Sequence, residues 1–96
     1  MESYYSNTKE KDNKYALNII GEIQNIKNIY EKKQFISKMI KTMDKNELVQ
    51  VYEIFKNESE KMSVNKNGVF IDLMKTKEST IDRIIKFILK LYSYNI

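Results

Sequence analysis

Apolar residues recur at helical spacing over the first third of the chain. From about Thr8 to Asn28 they fall three or four positions apart, which predicts an α-helix. These residues are Ala16, Ile19, Ile20, Ile23 and Ile26. Gly21 lies among them and weakens such a helix by about 1 kcal/mol relative to alanine. With Tyr30 added, part of the set also fits a two-heptad seam. The helix is therefore expected either to pack on its own domain or to act as a dimerising arm.

Two more helices are predicted in the middle of the chain. From Glu31 to Met43 the helix carries an apolar stripe on one side and lysines on the other. The stripe comprises Phe35, Ile36, Met39, Ile40 and Met43. Asp44 then stands three residues before Glu47, the spacing of a capping box in which two orphan amides at a helix start are satisfied. Core spacing follows at Leu48, Val51, Tyr52, Ile54 and Phe55. The polar run from Asn57 to Lys61 is expected to end this third helix.

A turn and a strand are predicted next. Asn67-Gly68 favours a tight hairpin, because both residues tolerate a positive φ. Residues 62–64 are expected to pair with residues 69–71. Beyond the turn the sequence NGVFIDLM alternates as a strand does, with Val69, Ile71 and Leu73 expected to face the core. Phe70 and Met74 then fall on the opposite face, where a small protein normally carries polar residues.

The last helix is predicted to begin after Ser79 or Thr80, with Asp82 in its first turn near the positive end of the helix. Its apolar positions are Ile81, Ile84, Ile85, Phe87, Ile88, Leu91 and Tyr92. Together these elements predict a mostly α fold, a small helical domain with one short strand or β-hairpin before the last helix.

Composition narrows the chemistry. A chain of 96 residues makes one domain with a modest core. It has no cysteine, which excludes disulfides and thiolate chemistry, and no histidine, the usual general base at neutral pH. No paired carboxylates suggest acid–base work either. We therefore expect a protein that is not an enzyme and that needs no metal or cofactor.

Charge leaves a second class of function open. The formal net charge is +4, carried almost wholly by lysine, with Arg83 the single arginine. Lys33, Lys38 and Lys41, on the polar side of the second helix, are candidate phosphate contacts for a small nucleic-acid-binding protein, and Lys32 and Lys45 lie close by. A solvated charged face, in a chain encoded by an AT-rich genome, explains the same lysines.

Neither end of the sequence looks like a targeting or membrane segment. The first fifteen residues are polar, unlike a signal peptide. Lysines interrupt the apolar run near the end, which falls short of the roughly 20 residues that a bilayer span needs. We expect a soluble intracellular protein.

Two blocks of the sequence, NELVQVYEIF and FIDLMKTKESTIDRIIKFI, carry a resemblance to a known family. Together with Ile36, Ile40 and Met43 they are similar to the extra-terminal (NET) domain of the BET bromodomain proteins. The matching positions are Leu48, Val51, Tyr52, Ile54 and Phe55, then Ile71, Asp72 and Leu73, then Lys77, Ser79, Thr80 and Ile81, and finally Ile84, Phe87 and Ile88. The resemblance covers about Ile36 to Ile88 and leaves out the helix before Tyr30.

For the domain organisation, the resemblance implies a three-helix bundle over residues 31–96. Residues 9–30 then form an extra N-terminal helix, and residues 1–8 are expected to be disordered. Divergent copies of the domain occur in large DNA viruses, and the richness in Lys, Asn and Ile favours such a stand-alone viral copy.

For function, the resemblance implies a non-catalytic adaptor that accepts a linear peptide of a transcription or chromatin protein, in the nucleus or cytoplasm of a host cell. The peptide adds as a strand to the segment before the last helix. The implied peptide-binding residues are Val69, Phe70, Ile71, Asp72, Leu73 and Met74.

One departure from the family changes the expected ligand. The family carries several acids in this segment, which attract peptides that alternate lysine with hydrophobic residues. Here only Asp72 matches such an acid, and Phe70 and Met74 stand where acids are usual. An apolar pair on an unpaired strand edge calls for a cover. A partner peptide, a second copy of the chain or the N-terminal helix are the three candidates. A homo-oligomer assembled through the N-terminal helix remains a further alternative.

Overall fold

The computed structural model describes residues 13–66 and 68–94, and over these residues the predicted fold class is confirmed. The elements, in chain order, are α1 (Asn13–Gln24), α2 (Ile29–Ile40), α3 (Lys45–Asn57), β1 (Ser63–Asn65), β2 (Gly68–Phe70), a 3₁₀ turn (Leu73–Lys75) and α4 (Glu78–Ser93). The fold is thus a small helical domain with a hairpin before its last helix. The predicted disorder of residues 1–8 and the predicted helix start at Thr8 lie outside the described residues.

Helix α4 is the centre of the core, because α1, α2 and α3 all pack on it. Its inner face is an apolar stripe at i, i+3, i+7 spacing, in which Ile81, Ile84 and Ile88 have no exposed surface. Phe55 from α3 and Ile36 from α2 are equally inaccessible. Each such side chain stabilises the fold by roughly 1.5–3 kcal/mol through its removal from water.

Helix α1 packs on its own domain, the first of the two roles expected for it. Ala16 and Ile19 are buried in the same core as the residues of α4. The rings of Tyr15 and Tyr92 meet edge to face, with centroids 5.7 Å apart and an interplanar angle of 73°. The helix ends at Gln24, four residues before the predicted end at Asn28.

Local capping signals set the starts of α2 and α3. The predicted capping box is confirmed: the backbone N–H of Glu47 donates to Asp44 Oδ1 over 2.9 Å, and the Asp44 N–H donates to Glu47 Oε1 over 3.1 Å. A side chain also caps α2, where Asn28 Oδ1 accepts from the Glu31 N–H over 2.9 Å. Helix α2 consequently begins at Ile29, two residues before the predicted start.

The hairpin is confirmed in the predicted register, but both strands lie one residue closer to the turn than expected. Asn65 pairs with Gly68 and Val64 with Val69, so the loop begins at Lys66 and Gly68 already belongs to β2. Gly68 has φ of 132°, a region that favours glycine. Asn67, the other residue of the predicted turn, lies outside the described residues.

The predicted inward face of the strand is wrong at Val69, which is 44% exposed. Strand β2 ends at Phe70, and the chain turns into the 3₁₀ segment at Leu73 instead of continuing as a strand to Met74. Ile71 and Leu73 do pack against the core, and each keeps part of its surface accessible.

The predicted cap of the last helix is also wrong. Helix α4 begins at Glu78, and its N-cap is Lys77, whose side chain makes no capping hydrogen bond. Thr80 lies within the first turn and is fully buried. Its hydroxyl donates to Glu60 Oε2 over 2.5 Å, so it joins α4 to the segment before β1.

Candidate functional site

Most of the exposed large apolar side chains among the described residues lie in one place. Eight large apolar side chains are exposed among the described residues: Leu17, Tyr30, Leu48, Val49, Val69, Phe70, Met74 and Tyr94. All but Leu17 and Tyr94 line two adjoining grooves beside β2. Scattered exposed apolar residues are ordinary on a protein surface, but a contiguous group of them indicates a binding surface.

The first groove, here called the apolar groove, has a volume of about 620 Å³ and lies between α2, α3 and β2. Its lining comprises Ser37, Ile40, Lys41, Lys45, Leu48, Val49, Val51, Tyr52, Val69, Phe70, Ile71 and Leu73. Leu48 and Val49, near the start of α3, are exposed, whereas Val51 and Phe55 farther along the same helix are buried. The groove therefore offers an apolar surface that the core leaves uncovered.

The second groove, here called the mixed groove, has a volume of about 640 Å³ and lies between α2 and the 3₁₀ turn. Its lining comprises Tyr30, Lys33, Gln34, Ser37, Ser63, Phe70, Ile71, Asp72, Leu73 and Met74. Phe70, at 52% exposure, lines both grooves together with Ser37, Ile71 and Leu73. The two grooves thus form one continuous concave surface.

The backbone of β2 adds unpaired hydrogen-bonding groups to this surface. The only sheet within the described residues has two strands, so one edge of β2 pairs with β1 and the other is open. Asn65 and Gly68 are the partners next to the turn, where a tight hairpin closes with a hydrogen-bonded pair, and the pairing alternates along antiparallel strands. The N–H and C=O groups of Val69 therefore point to the open edge.

The segment after β2 is held in shape by its own side chains. Asp72 Oδ1 accepts from the Met74 N–H over 3.0 Å, and the Asp72 carbonyl accepts from the Thr76 hydroxyl over 2.9 Å. Lys33 Nζ donates to the Met74 carbonyl over 2.8 Å and so ties the segment to α2. Asp72 caps the 3₁₀ turn, a role that the sequence did not suggest.

A pair of glutamates anchors the chain just before the hairpin. Glu60 Oε2 accepts from the Lys77 N–H over 3.0 Å as well as from Thr80, and Glu58 Oε2 accepts from Arg83 over 2.6 Å. The hydrogen bond from Arg83 holds the pKa of the Glu58 carboxyl below its usual value. These contacts join residues about 20 positions apart in sequence, so no local pattern could have revealed them.

The three lysines predicted as phosphate contacts are not equivalent in the structure. Lys33 is bound to the Met74 carbonyl. Lys38 lies on the other side, where its ammonium pairs with the Glu22 carboxylate at 2.6 Å and stands 5.4 Å from the centre of the Phe35 ring. Lys41 lines the apolar groove, and Lys45, from the first turn of α3, lines it too. The predicted lysine face is therefore divided between three environments.

The N-terminal helix is not the cover expected for Phe70 and Met74. The described part of α1 packs on α4, and none of its residues lines the apolar or the mixed groove. Of the predicted site residues, Phe70, Ile71 and Leu73 line both grooves. Val69 lines the apolar groove, and Asp72 and Met74 line the mixed one.

Comparison of the chain with known proteins found no relative: no protein-family model, curated protein or solved structure matches it. Across residues 13–66 and 68–94, no helix combines the length and apolar character that a membrane crossing requires. In the same residues, no group of three or more carboxylates is placed to hold a metal ion.

Proposed function

We propose that the protein is a non-catalytic adaptor that binds a linear peptide of another protein by strand addition along residues 69–74. One observation carries the proposal. The open edge of β2 borders the same surface that collects six of the eight exposed large apolar side chains among the described residues. Main-chain hydrogen bonds along a strand edge provide affinity, and pockets for alternate side chains provide selectivity.

The peptide would use both parts of this surface. Its backbone would pair with the N–H and C=O of Val69 and continue past Ile71, and the side chains on one of its faces would enter the grooves beside Phe70. Alternate residues of a strand point to opposite faces, so every second residue of the ligand is expected to be apolar.

The resemblance to extra-terminal domains supports a more specific partner. In that family the equivalent segment receives peptides of transcription and chromatin proteins, so we propose a partner of this kind, encountered in the nucleus or cytoplasm of a host cell. Nothing in the mode of binding requires a cofactor or a reaction.

The alternative of nucleic-acid binding has less support. Of the candidate phosphate contacts, Lys33 and Lys38 already have partners within the chain, and Lys32 pairs with Asp82 at 2.7 Å. Assembly through the N-terminal helix is likewise less favoured, since Ala16 and Ile19 on its apolar face are buried against α4. A second copy paired across β2 is tested together with the peptide.

The test is an amide-resolved NMR titration with extended peptides in which hydrophobic residues alternate with Glu, Gln or Lys. Shifts concentrated at residues 69–74 are expected, with new protection of the Val69 amide from exchange. Phe70→Asp should abolish binding while the helical signals persist. Leu17→Asp is the matched control. Leu17 is 54% exposed, which is similar to the 52% of Phe70, and it lines neither groove.

Three results would contradict the proposal. One is the absence of shifts with every peptide at millimolar concentration, and another is unchanged binding by Phe70→Asp. The third is a set of shifts at residues 69–74 that depends on protein concentration alone, which would indicate a second copy. A short DNA duplex, added at two salt concentrations, would favour nucleic acid if it alone shifted residues 32–45.

A further inference from the structure

We infer that the peptide bound in the apolar groove is acidic, an extended segment in which Asp or Glu alternates with hydrophobic residues. This inference rests on the proposed function and names the chemistry of its ligand. It runs opposite to the lysine-rich ligands that the family resemblance implies.

The charges on the groove carry the inference. Among the described residues, the charged groups along the apolar groove are the ammonium groups of Lys41 and Lys45, and no carboxylate of these residues lines it. In the adjoining mixed groove the charged residues are Lys33 and Asp72. Over the whole concave surface, three lysines therefore face one carboxylate.

One of the two oxygens of that single carboxylate is already engaged. Asp72 Oδ1 accepts the hydrogen bond that caps the 3₁₀ turn. A lysine of an incoming peptide could bind only to the other oxygen of Asp72, and it would approach three ammonium groups of like charge. A peptide carboxylate meets the opposite situation, because Lys33 uses one of its three ammonium donors on the Met74 carbonyl and keeps the others.

Lys41 and Lys45 are also uncommitted within the described part of the chain, where neither ammonium group has a hydrogen bond or ion pair. Other lysines differ: Lys38 pairs with Glu22 at 2.6 Å and Lys32 with Asp82 at 2.7 Å. The acids nearest to Lys45 in sequence, Asp44 and Glu47, form the capping box of α3. The two free cations thus lie beside the apolar surface with their attraction for an anion unused.

The remaining lining fixes the other half of the ligand. Ile40, Leu48, Val49, Tyr52 and Phe70 provide apolar surface in the groove that the two lysines also line. A strand laid along β2 points alternate side chains to opposite faces. One set can then fill the groove while acids on the other set, or at the ends of the segment, reach the lysines at its rim.

The experiment uses three peptides with the same hydrophobic residues, whose alternate positions are all Glu, all Gln or all Lys. Binding to the intact chain is measured by calorimetry at low salt and again at high salt. The Glu peptide should bind tightest and the Lys peptide weakest. Two exposed ion pairs correspond to about a threefold to tenfold preference of Glu over Gln. High salt should reduce that preference.

Charge reversal localises the effect. Lys41→Glu with Lys45→Glu should invert the order of the Glu and Lys peptides. The matched control is Lys56→Glu with Lys86→Glu, which changes the net charge equally at two exposed positions outside both grooves. The control variant should keep the original order of the three affinities, and its affinity for the Glu peptide should be slightly lower than that of the parent.

The outcomes separate this inference from the proposed function. Tightest binding of the Lys peptide at residues 69–74 would overturn the acidic ligand and leave the adaptor function standing. The same loss of preference in both double variants would also overturn it, because the net charge would then be the cause. Failure of all three peptides would overturn both proposals.

Discussion

Thr80→Val tests whether Thr80 joins α4 to the chain before β1 or caps the helix, as its sequence context suggested. Valine has nearly the same shape as threonine, so the buried side chain is replaced without a cavity. The change removes the hydroxyl that donates to Glu60 over 2.5 Å and leaves the exposed neighbour Ser79 untouched.

The expected cost follows from the contacts of Glu60. A hydrogen bond to a charged group is worth about 1.5–3 kcal/mol. Glu60 is only partly buried and keeps the Lys77 N–H as a second donor, so water can replace part of the lost bond. We therefore expect the free energy of unfolding to fall by about 1–2 kcal/mol. For a domain of this size, Tm should drop by about 4–8 °C for each kcal/mol.

The assay is thermal and urea unfolding followed by circular dichroism at 222 nm. Ser79→Ala is the comparison, since Ser79 is exposed and its hydroxyl lies 3.2 Å from Glu58. We expect it to cost less than about 0.5 kcal/mol, as for most surface changes. If Ser79→Ala cost about 1 kcal/mol and Thr80→Val nothing, the helix would be capped by Ser79 and the tie to Glu60 would be refuted.

Three further predictions concern the stability at low pH, the stability at high pH and the contribution of the core. Arg83 lowers the pKa of Glu58 from 4.5, so the stability from this carboxylate is present above pH 4.5 and lost as pH falls below it. Urea titrations between pH 7 and pH 2 should show a smaller loss in Arg83→Gln. Burial raises the pKa of Tyr92 from 10 to about 12, so stability should fall as pH rises from 10 to 12, and less so in Tyr92→Phe. An equal pH dependence of variant and parent would contradict either prediction. Phe55→Ala should cost about 3–5 kcal/mol in chemical unfolding, whereas Leu48→Ala, at 40% exposure, should cost much less and mainly weaken peptide binding.

Sequence reasoning succeeded where the signal is local. Asp44 and Glu47 are three residues apart, and their mutual hydrogen bonds depend on nothing beyond the first turn of α3. The apolar period of α4 likewise predicted its buried face, since a helix presents the same stripe wherever it docks. The same capping spacing at Asn28 and Glu31 was available and would have placed the start of α2.

It failed where distant parts of the chain decide the structure. Ser79-Thr80 has the residue types of a helix cap, but the glutamates that bind these side chains come from about 20 residues upstream. The alternation at residues 69–74 predicted a continuous strand. Asp72 instead caps a 3₁₀ turn, which ends the alternation, and Val69 is exposed.

The candidate site was predictable only in part. Phe70 and Met74 were identified as outward-facing apolar residues, and the structure leaves both more than half exposed. The sequence did not single out Leu48 and Val49 on α3, which line the apolar groove with Phe70, because Leu48 has the spacing of a core residue. Only the packing of α3 in the fold decides which residues of its apolar stripe remain exposed.

The position of α1 bears on how this fold can be divided or transferred. A fragment that starts at residue 31, the limit suggested by the family resemblance, would lose Ala16 and Ile19 and would uncover Tyr92. The cut would pass through the hydrophobic core. We therefore expect α1 to be required for stable folding, and a transplanted binding surface should carry residues 13–94 with it.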